Sequence, residues 1–211
     1  MTLQQYKVII LDFDGVVVES NHIKQKAFEY VFAAYPQHLK EIMAFHHATN
    51  AIRFEKFKYV YDHILHLPYS RAIENELGAV FSNFCVAKIV QCPSVNGAIE
   101  FLKYFYGRCP IYLVTINPQA DLDIILKERG LEFYFKGIFP VTGTKQVAIN
   151  QILKDEKISA LEAVFIGDSQ NDVESAQASG VDFIGRKSDM ALSNVPVIFD
   201  DMQQILNYLR A

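Results

Sequence analysis

Asp12 and Asp14 stand one residue apart at the end of an apolar run, Asp168, Ser169 and Asp172 close a second, Thr115 and Asn117 close a third, and Lys145 follows a fourth. Carboxylates brought together repel, and each raises the pKa of its neighbours, so a cluster of them stays ionised only around a cation. With oxygen donors and no His or Cys close by in the pattern, a hard divalent ion is implied. Mg2+ is the best match, held by one or two carboxylates together with water and a substrate phosphate. Lys145 and the Thr115 hydroxyl add a point charge and a donor, which is what a phosphoryl group in transfer requires. A carboxylate can also attack phosphorus itself while a second acid moves the proton, and Asp12 and Asp14 have suitable spacing for that division of labour.

Residues of this kind must be held by rigid elements. Short β-branched runs at 7–14, 111–117, 137–142, 163–169 and 182–186 read as strands, with 197–200 as a sixth. Helical periodicity separates them at 94–106, 119–128, 146–156 and 172–178, with Gly130 and Gly180 at the expected C-terminal stops. Alternating strand and helix predicts an α/β fold, a doubly wound, Rossmann-like parallel sheet of five to six strands covered on both faces. Ligands of such sheets bind beyond the carboxyl ends of the strands, where strand order reverses, and every residue named above falls at such an end. The first strand runs to residue 14, so its alternation aims Asp12 and Asp14 to one face and Phe13 to the other.

The first crossover is too long for a simple βαβ unit. About 95 residues separate Asp14 from the next strand, where the whole unit needs only about 30. Residues 17–91 lack strand alternation and read as amphipathic helices at 21–34, 54–65 and 71–90, punctuated by Pro36, Pro68 and Pro93. The expected organisation is an α/β core of 1–16 and 92–211 interrupted by an inserted all-helical cap of 17–91.

Composition removes other classes. The chain of 211 residues is 51% hydrophobic and 21% charged, which is neither disordered nor fibrous. Its net charge of −4 comes without a long basic run, so no nucleic-acid partner is expected. No stretch reaches the roughly 18 apolar residues of a membrane span, and residues 1–7 lead into a strand instead of a signal peptide. A cytoplasmic monomer or homodimer without a membrane partner is expected. Cys85, Cys92 and Cys109 lack CxxC spacing and read as buried thiols. Gly143-Thr144-Lys145 lacks the spacing of a P-loop, and Val17 and Ile23 occupy the positions where a calcium loop from Asp12 needs Gly and Glu.

Residues 12–16 (Asp-Phe-Asp-Gly-Val), Thr115 at a strand end, Lys145, and residues 167–172 (Gly-Asp-Ser-Gln-Asn-Asp) resemble the four motifs of the haloacid dehalogenase-like hydrolase superfamily in order and placement. The resemblance covers the α/β core, and the insertion after the first motif is similar to the helical cap of the phosphoglycolate phosphatase and β-phosphoglucomutase branch. It implies that Asp12 is nucleophile and Mg2+ ligand, and that Asp14 is general acid/base with a backbone carbonyl on Mg2+. It implies Asp168 and Asp172 as further Mg2+ ligands, the latter directly or through water. Thr115, Asn117 and Lys145 would hold the phosphate, with backbone donors at Phe13, Ile116 and Asn117. Asp14 sets the chain apart from dehalogenases, which lack this acid, and from phosphonatases, which place a small residue there. Gln146 follows Lys145, where many phosphoglycolate phosphatase relatives have proline.

The implied activity is Mg2+-dependent hydrolysis of a small phosphomonoester through an aspartyl-phosphate on Asp12. A sugar phosphomutase would use the same core residues. From another class, response-regulator receivers also place Asp, Thr and Lys at strand ends as a phospho-acceptor signalling domain, but they lack an insertion of this length. A cap that closes would exclude water and select substrate. Residues 45–58 hold His46, His47, Asn50, Arg53, Lys56 and Lys58 in one polar patch that resembles the specificity loop of capped relatives. His47, Arg53 and Lys56 are the expected selectivity residues, and Ser20, Asn21 and His22 are candidate substrate contacts near the hinge.

Overall fold

The computed structural model describes residues 6–49 and 51–211. The N-terminal reading on residues 1–5 and the candidate Asn50 lie outside the described residues. The chain packs as two compact units, Met1–Asn21 with Cys92–Ala211, and His22–Gln91. Residues 17–21 pack with the first unit because Val18 bridges to both Asp14 and Ser94, and the Val95 amide donates to the Val17 carbonyl at 3.1 Å.

The first unit is a six-stranded parallel sheet. Its strands are β1 (Val8–Leu11), β2 (Ile111–Thr115), β3 (Gly137–Pro140), β4 (Ala163–Gly167), β5 (Asp182–Arg186) and β6 (Ile198–Phe199), in the order β3-β2-β1-β4-β5-β6. Every residue of β1, β2 and β4 is buried, which is why these strands read as unbroken apolar runs. One face packs Val8, Ile10, Val114 and Phe165 against Ile149 and Ile152 of α7 (Gln146–Glu156) and Ala176 of α8 (Gln170–Ser179). Elsewhere α5 (Ala98–Phe105) packs on α9 (Met202–Arg210), and both bury apolar stripes including Phe101, Phe105, Ile205 and Leu209. A further helix, α6 (Gln119–Glu128), follows β2. Strand order reverses between β1 and β4, so the crevice beyond their carboxyl ends is where such a sheet accepts ligands.

Among its described residues, the second unit has helices as its only regular elements, joined by turns and short connections. It contains most of α1 (Asn21–Val31), α2 (Leu39–Ala48), α3 (Arg53–Tyr59), a π-helical turn at Val60–Leu65, and α4 (Arg71–Ile89). Phe28, Phe32, Phe57 and Phe81 meet ring to ring at its centre. Ser70 caps α4 by accepting from the Ile73 amide, as expected of a serine at a helix N-cap.

Two expectations are corrected. The first strand ends at Leu11, not at residue 14: the Asp12 amide still donates to the Ile166 carbonyl at 3.0 Å, and the chain then turns, with the Phe13 carbonyl accepting from the amides of Val17 and Val18 at 2.8 and 3.2 Å. Strand alternation therefore does not aim Asp14; the turn does. The helix read over 54–65 is α-helical only to Tyr59, after which the backbone widens into the π turn. Cys85 and Cys109 are buried and Cys92 is half-buried, all as free thiols. No helix of the described residues is long and apolar enough to cross a membrane.

Candidate active site

The buried polar residues of the first unit gather at the carboxyl ends of β1, β2 and β4. Asp12, Asp14, Thr115, Asn117, Lys145, Asp168 and Asp172 are all buried, so each needs a partner. Lys145, at the N-terminal boundary of α7, sends its ammonium between two carboxylates, 2.6 Å from Asp12 Oδ1 and 2.7 Å from Asp172 Oδ1. The same ammonium lies 5.6 Å from the centre of the Phe165 ring. Burial alone would lower the Lys145 pKa, but Asp12 and Asp172 reverse that and hold it above the usual lysine range.

Asp172 sits in the first turn of α8, which Ser169 caps. Its Oδ2 accepts from the amides of Asp168 and Ser169 at 3.3 and 3.1 Å and from the Ser169 hydroxyl at 2.6 Å. One carboxylate thus caps a helix with one oxygen and faces the lysine with the other. Gly167 permits this approach, since a Cβ there would lie 2.5 Å from Asp172 Cβ.

Asp14 is held differently. Ser20 donates to its Oδ1, and the Asn117 amide donates to its Oδ2 at 2.7 Å. The Thr115 hydroxyl oxygen accepts from the Asn117 amide side chain at 3.1 Å and its backbone N–H at 3.3 Å, which leaves the single hydroxyl proton of Thr115 to be donated elsewhere. Asn21 donates to Asp168 Oδ2 at 2.6 Å, and the Ser188 hydroxyl donates to the Asp168 carbonyl at 3.4 Å. Ser20 and Asn21, expected as substrate contacts, are engaged with the site's own carboxylates. Ser175 and Ser188 were not singled out in the sequence, where a serine carries no sign of a partner so distant along the chain.

Asp12, Asp168 and Asp172 each offer a carboxylate oxygen within 4.8 Å of the others, and all three are buried. Burial pushes the Asp12 carboxyl above its usual range, Lys145 opposes this, and Asp172, Asp168 and Asp14 add to it. Burial likewise pushes Asp168 up to about 6, against the hydrogen bond from Asn21. Three buried carboxylates facing one ammonium leave an excess of negative charge that a cation would relieve, and the donors are all oxygens. The cluster fits a hard metal ion. The Asp14 carboxylate is outside this group, committed to Ser20 and Asn117.

The expected selectivity residues lie in the helical unit. Lys56 donates to the His46 carbonyl at 3.1 Å and approaches its Nδ1 at 3.4 Å, and the His46 and His47 rings are edge to face at 5.4 Å. These come together as a patch. Arg53 instead donates to the Ser82 hydroxyl at 3.1 Å and stacks beside Phe54 and Phe81.

A doubly wound sheet with a carboxylate–lysine cluster at its switch point places the protein among α/β folds whose ligand site lies at that edge. The chain belongs to the haloacid dehalogenase-like hydrolase family, whose pattern it matches over residues 9–186. It is 25% identical over 126 residues to a phosphoglycolate phosphatase of Photobacterium profundum, covering 54% of this chain and 55% of that one. The chain thus spans about half the length of the curated relatives it matches. Among solved structures, a haloacid dehalogenase-like hydrolase from Streptococcus pneumoniae superposes with a TM-score of 0.72 at 18% identity, covering 96% of this chain and 98% of that one. CbbY from Rhodobacter sphaeroides, solved in complex with phosphate, gives 0.73 at 14% identity with 95% and 96% covered. At these identities the two structures speak for the fold alone.

Proposed function

We propose that the protein is a Mg2+-dependent phosphatase of small phosphomonoesters that works through an aspartyl-phosphate on Asp12. The observation that carries this reading is the Lys145 ammonium paired with Asp12 and Asp172 beside a third carboxylate, Asp168, at the switch point of the sheet. In this reading an oxygen of Asp12 attacks phosphorus in line, the bond to the leaving oxygen breaks, and Asp14 supplies the proton that oxygen needs. Asp14, now a carboxylate, takes a proton from water. The resulting hydroxide attacks the phosphoryl group, the bond to Asp12 breaks, and inorganic phosphate leaves. Lys145 and the Thr115 hydroxyl face the charge that accumulates on the phosphoryl oxygens, with Asn117 orienting Thr115 and Asp14.

Asp12, Asp168 and Asp172 would hold Mg2+, with the Asp14 carbonyl as a further ligand. When bound, the ion supplies charge neutralisation at the phosphoryl oxygens. The name of the curated relatives, phosphoglycolate phosphatase, supports hydrolysis of a small ester. In this reading residues 1–16 and 92–211 do the chemistry, and His47, Arg53 and Lys56 of 17–91 select the substrate. The test is release of inorganic phosphate from a panel of small phosphomonoesters. Turnover with Mg2+ that stops on chelation is expected. No turnover on any ester of the panel would overturn the reading, and phosphate returned to a sugar hydroxyl without release would redirect it to a phosphomutase.

A further inference from the structure

Lys145 is gripped at both ends by one face of α8. Asp172 and Ser175 lie three residues apart on that helix and so share a face. Asp172 meets the lysine's ammonium at 2.7 Å, while the Ser175 hydroxyl accepts from the lysine's backbone N–H at 3.2 Å. Ser175 is 2% exposed and takes no part in the chemistry above. A serine within a helix commonly returns its hydroxyl to a carbonyl of its own preceding turn. Here the hydroxyl reaches out of α8 to the start of α7. The Thr144 hydroxyl lies 3.3 Å from Ser175 Oγ, the Gln146 amide donates to Thr144 Oγ1 at 3.3 Å, and the Gln146 side chain donates to the Ala178 carbonyl at 3.0 Å. Residues 144–146 are therefore stitched to 175–178. Lys145 is the N-cap residue of α7 and makes no cap bond with its own side chain, so Thr144 and Ser175 of this seam supply the acceptors that hold the backbone from which the lysine extends.

We propose that Ser175 is a positioning residue for Lys145, fixing its main chain so that the ammonium reaches the phosphoryl site. A lysine has four rotatable side-chain bonds, and its tip is directed only if its root is fixed. Displacement of a catalytic group by about 1 Å can cost on the order of a hundredfold in rate. The inference rests on the phosphatase reading for what Lys145 does, and the test separates the two.

The experiment is a double-mutant cycle on the full chain with inorganic phosphate as the probe, its binding measured by calorimetry with Mg2+ present. Lys145→Met is expected to weaken phosphate binding strongly. Ser175→Ala is expected to weaken it about three- to tenfold, as loss of one net hydrogen bond would, to lower kcat, and to add nothing in the Lys145→Met background. Ser175→Cys keeps the volume with a poorer acceptor, and is expected to lose affinity while its Tm stays near wild type. Equal losses from Ser175→Ala with and without Lys145 would overturn the positioning role, as would wild-type affinity in both Ser175 variants. Absence of phosphate binding in the wild-type protein would overturn the phosphatase reading and this inference together.

Discussion

Asp12 and Lys145 occupy the same buried cluster, yet replacing the lysine is expected to destabilise the fold and replacing the aspartate is not. Asp12 is one of several carboxylates whose crowding and burial oppose its ionisation. Asp12→Asn removes the proposed nucleophile and one repelling charge, and it leaves Lys145 paired with Asp172. Turnover is expected to fall by on the order of a thousandfold or more, with an unfolding midpoint in urea close to that of wild type. Lys145→Met leaves the carboxylates without their ammonium, and breaking a buried pair from one side costs about 3–5 kcal/mol. Its midpoint is expected to drop without metal and to recover in part when Mg2+ is added. Equal midpoints for the two variants would contradict the charge arrangement. The residues at this scale were legible in the sequence only where position at a strand end marked them. Ser20 and Asn21 were marked only as substrate contacts, and Ser175 was not marked at all, because nothing local shows which group each one meets; Asn21 reaches Asp168 across 147 positions and Ser175 reaches Lys145 across 30.

At the scale of elements, the strands were legible because burial on both faces makes their sequences uniformly apolar. Their carboxyl ends were overestimated at β1, β2 and β4, since site residues continue the run after the ladder stops, and at β3, where Val141 and Thr142 extend the β-branched run past Pro140. Among the helices, α7 was legible over its full span, because Ala148, Ile149 and Ile152 recur at helical spacing and are buried. By contrast, α2 buries only Ile42 and offers no stripe to read. The turn after β1 matters most for the site, and it depends on Gly15. This residue has φ 71°, and a Cβ there would lie 1.9 Å from Asp168 Oδ2 and 2.6 Å from Asn21 Nδ2. Gly15→Ala therefore meets a backbone cost of about 1–2 kcal/mol and also forces Asp168 away from Asn21. The expected result is a modest drop in Tm with a larger loss of Mg2+ affinity, measured by calorimetry. Wild-type Mg2+ affinity in Gly15→Ala would separate Asp168 from metal binding.

For the molecule as a whole, the two units should respond to acid over different pH ranges. In the helical unit, His46 stacks on Phe28 at 4.2 Å beside Lys56 and His47. Burial first, then the charges of Lys56 and His47, push its pKa down to about 4. An unfolded histidine titrates near 6.5. Between those values the unfolded chain binds a proton that the folded unit refuses, so stability is full above about pH 6.5 and declines as pH falls towards about 4. In the α/β unit the partly exposed Glu162 carboxylate pairs with Lys7 and accepts from Ser159. The Lys7 hydrogen bond is the largest cause that holds it down to about 2. Its contribution is present above the ordinary glutamate range and is lost only as pH falls towards about 2. Acidification from neutral pH is therefore expected to weaken the helical unit first, as an early loss of helical circular dichroism during thermal melts at pH 5 that is absent at pH 7. His46→Phe keeps a ring on Phe28 and cannot take up a proton, so its early transition should move towards the neutral-pH position, whereas Glu162→Gln should leave that transition where it is. If His46→Phe and wild type lose helix over the same pH range, the acid sensitivity of this unit lies in another group.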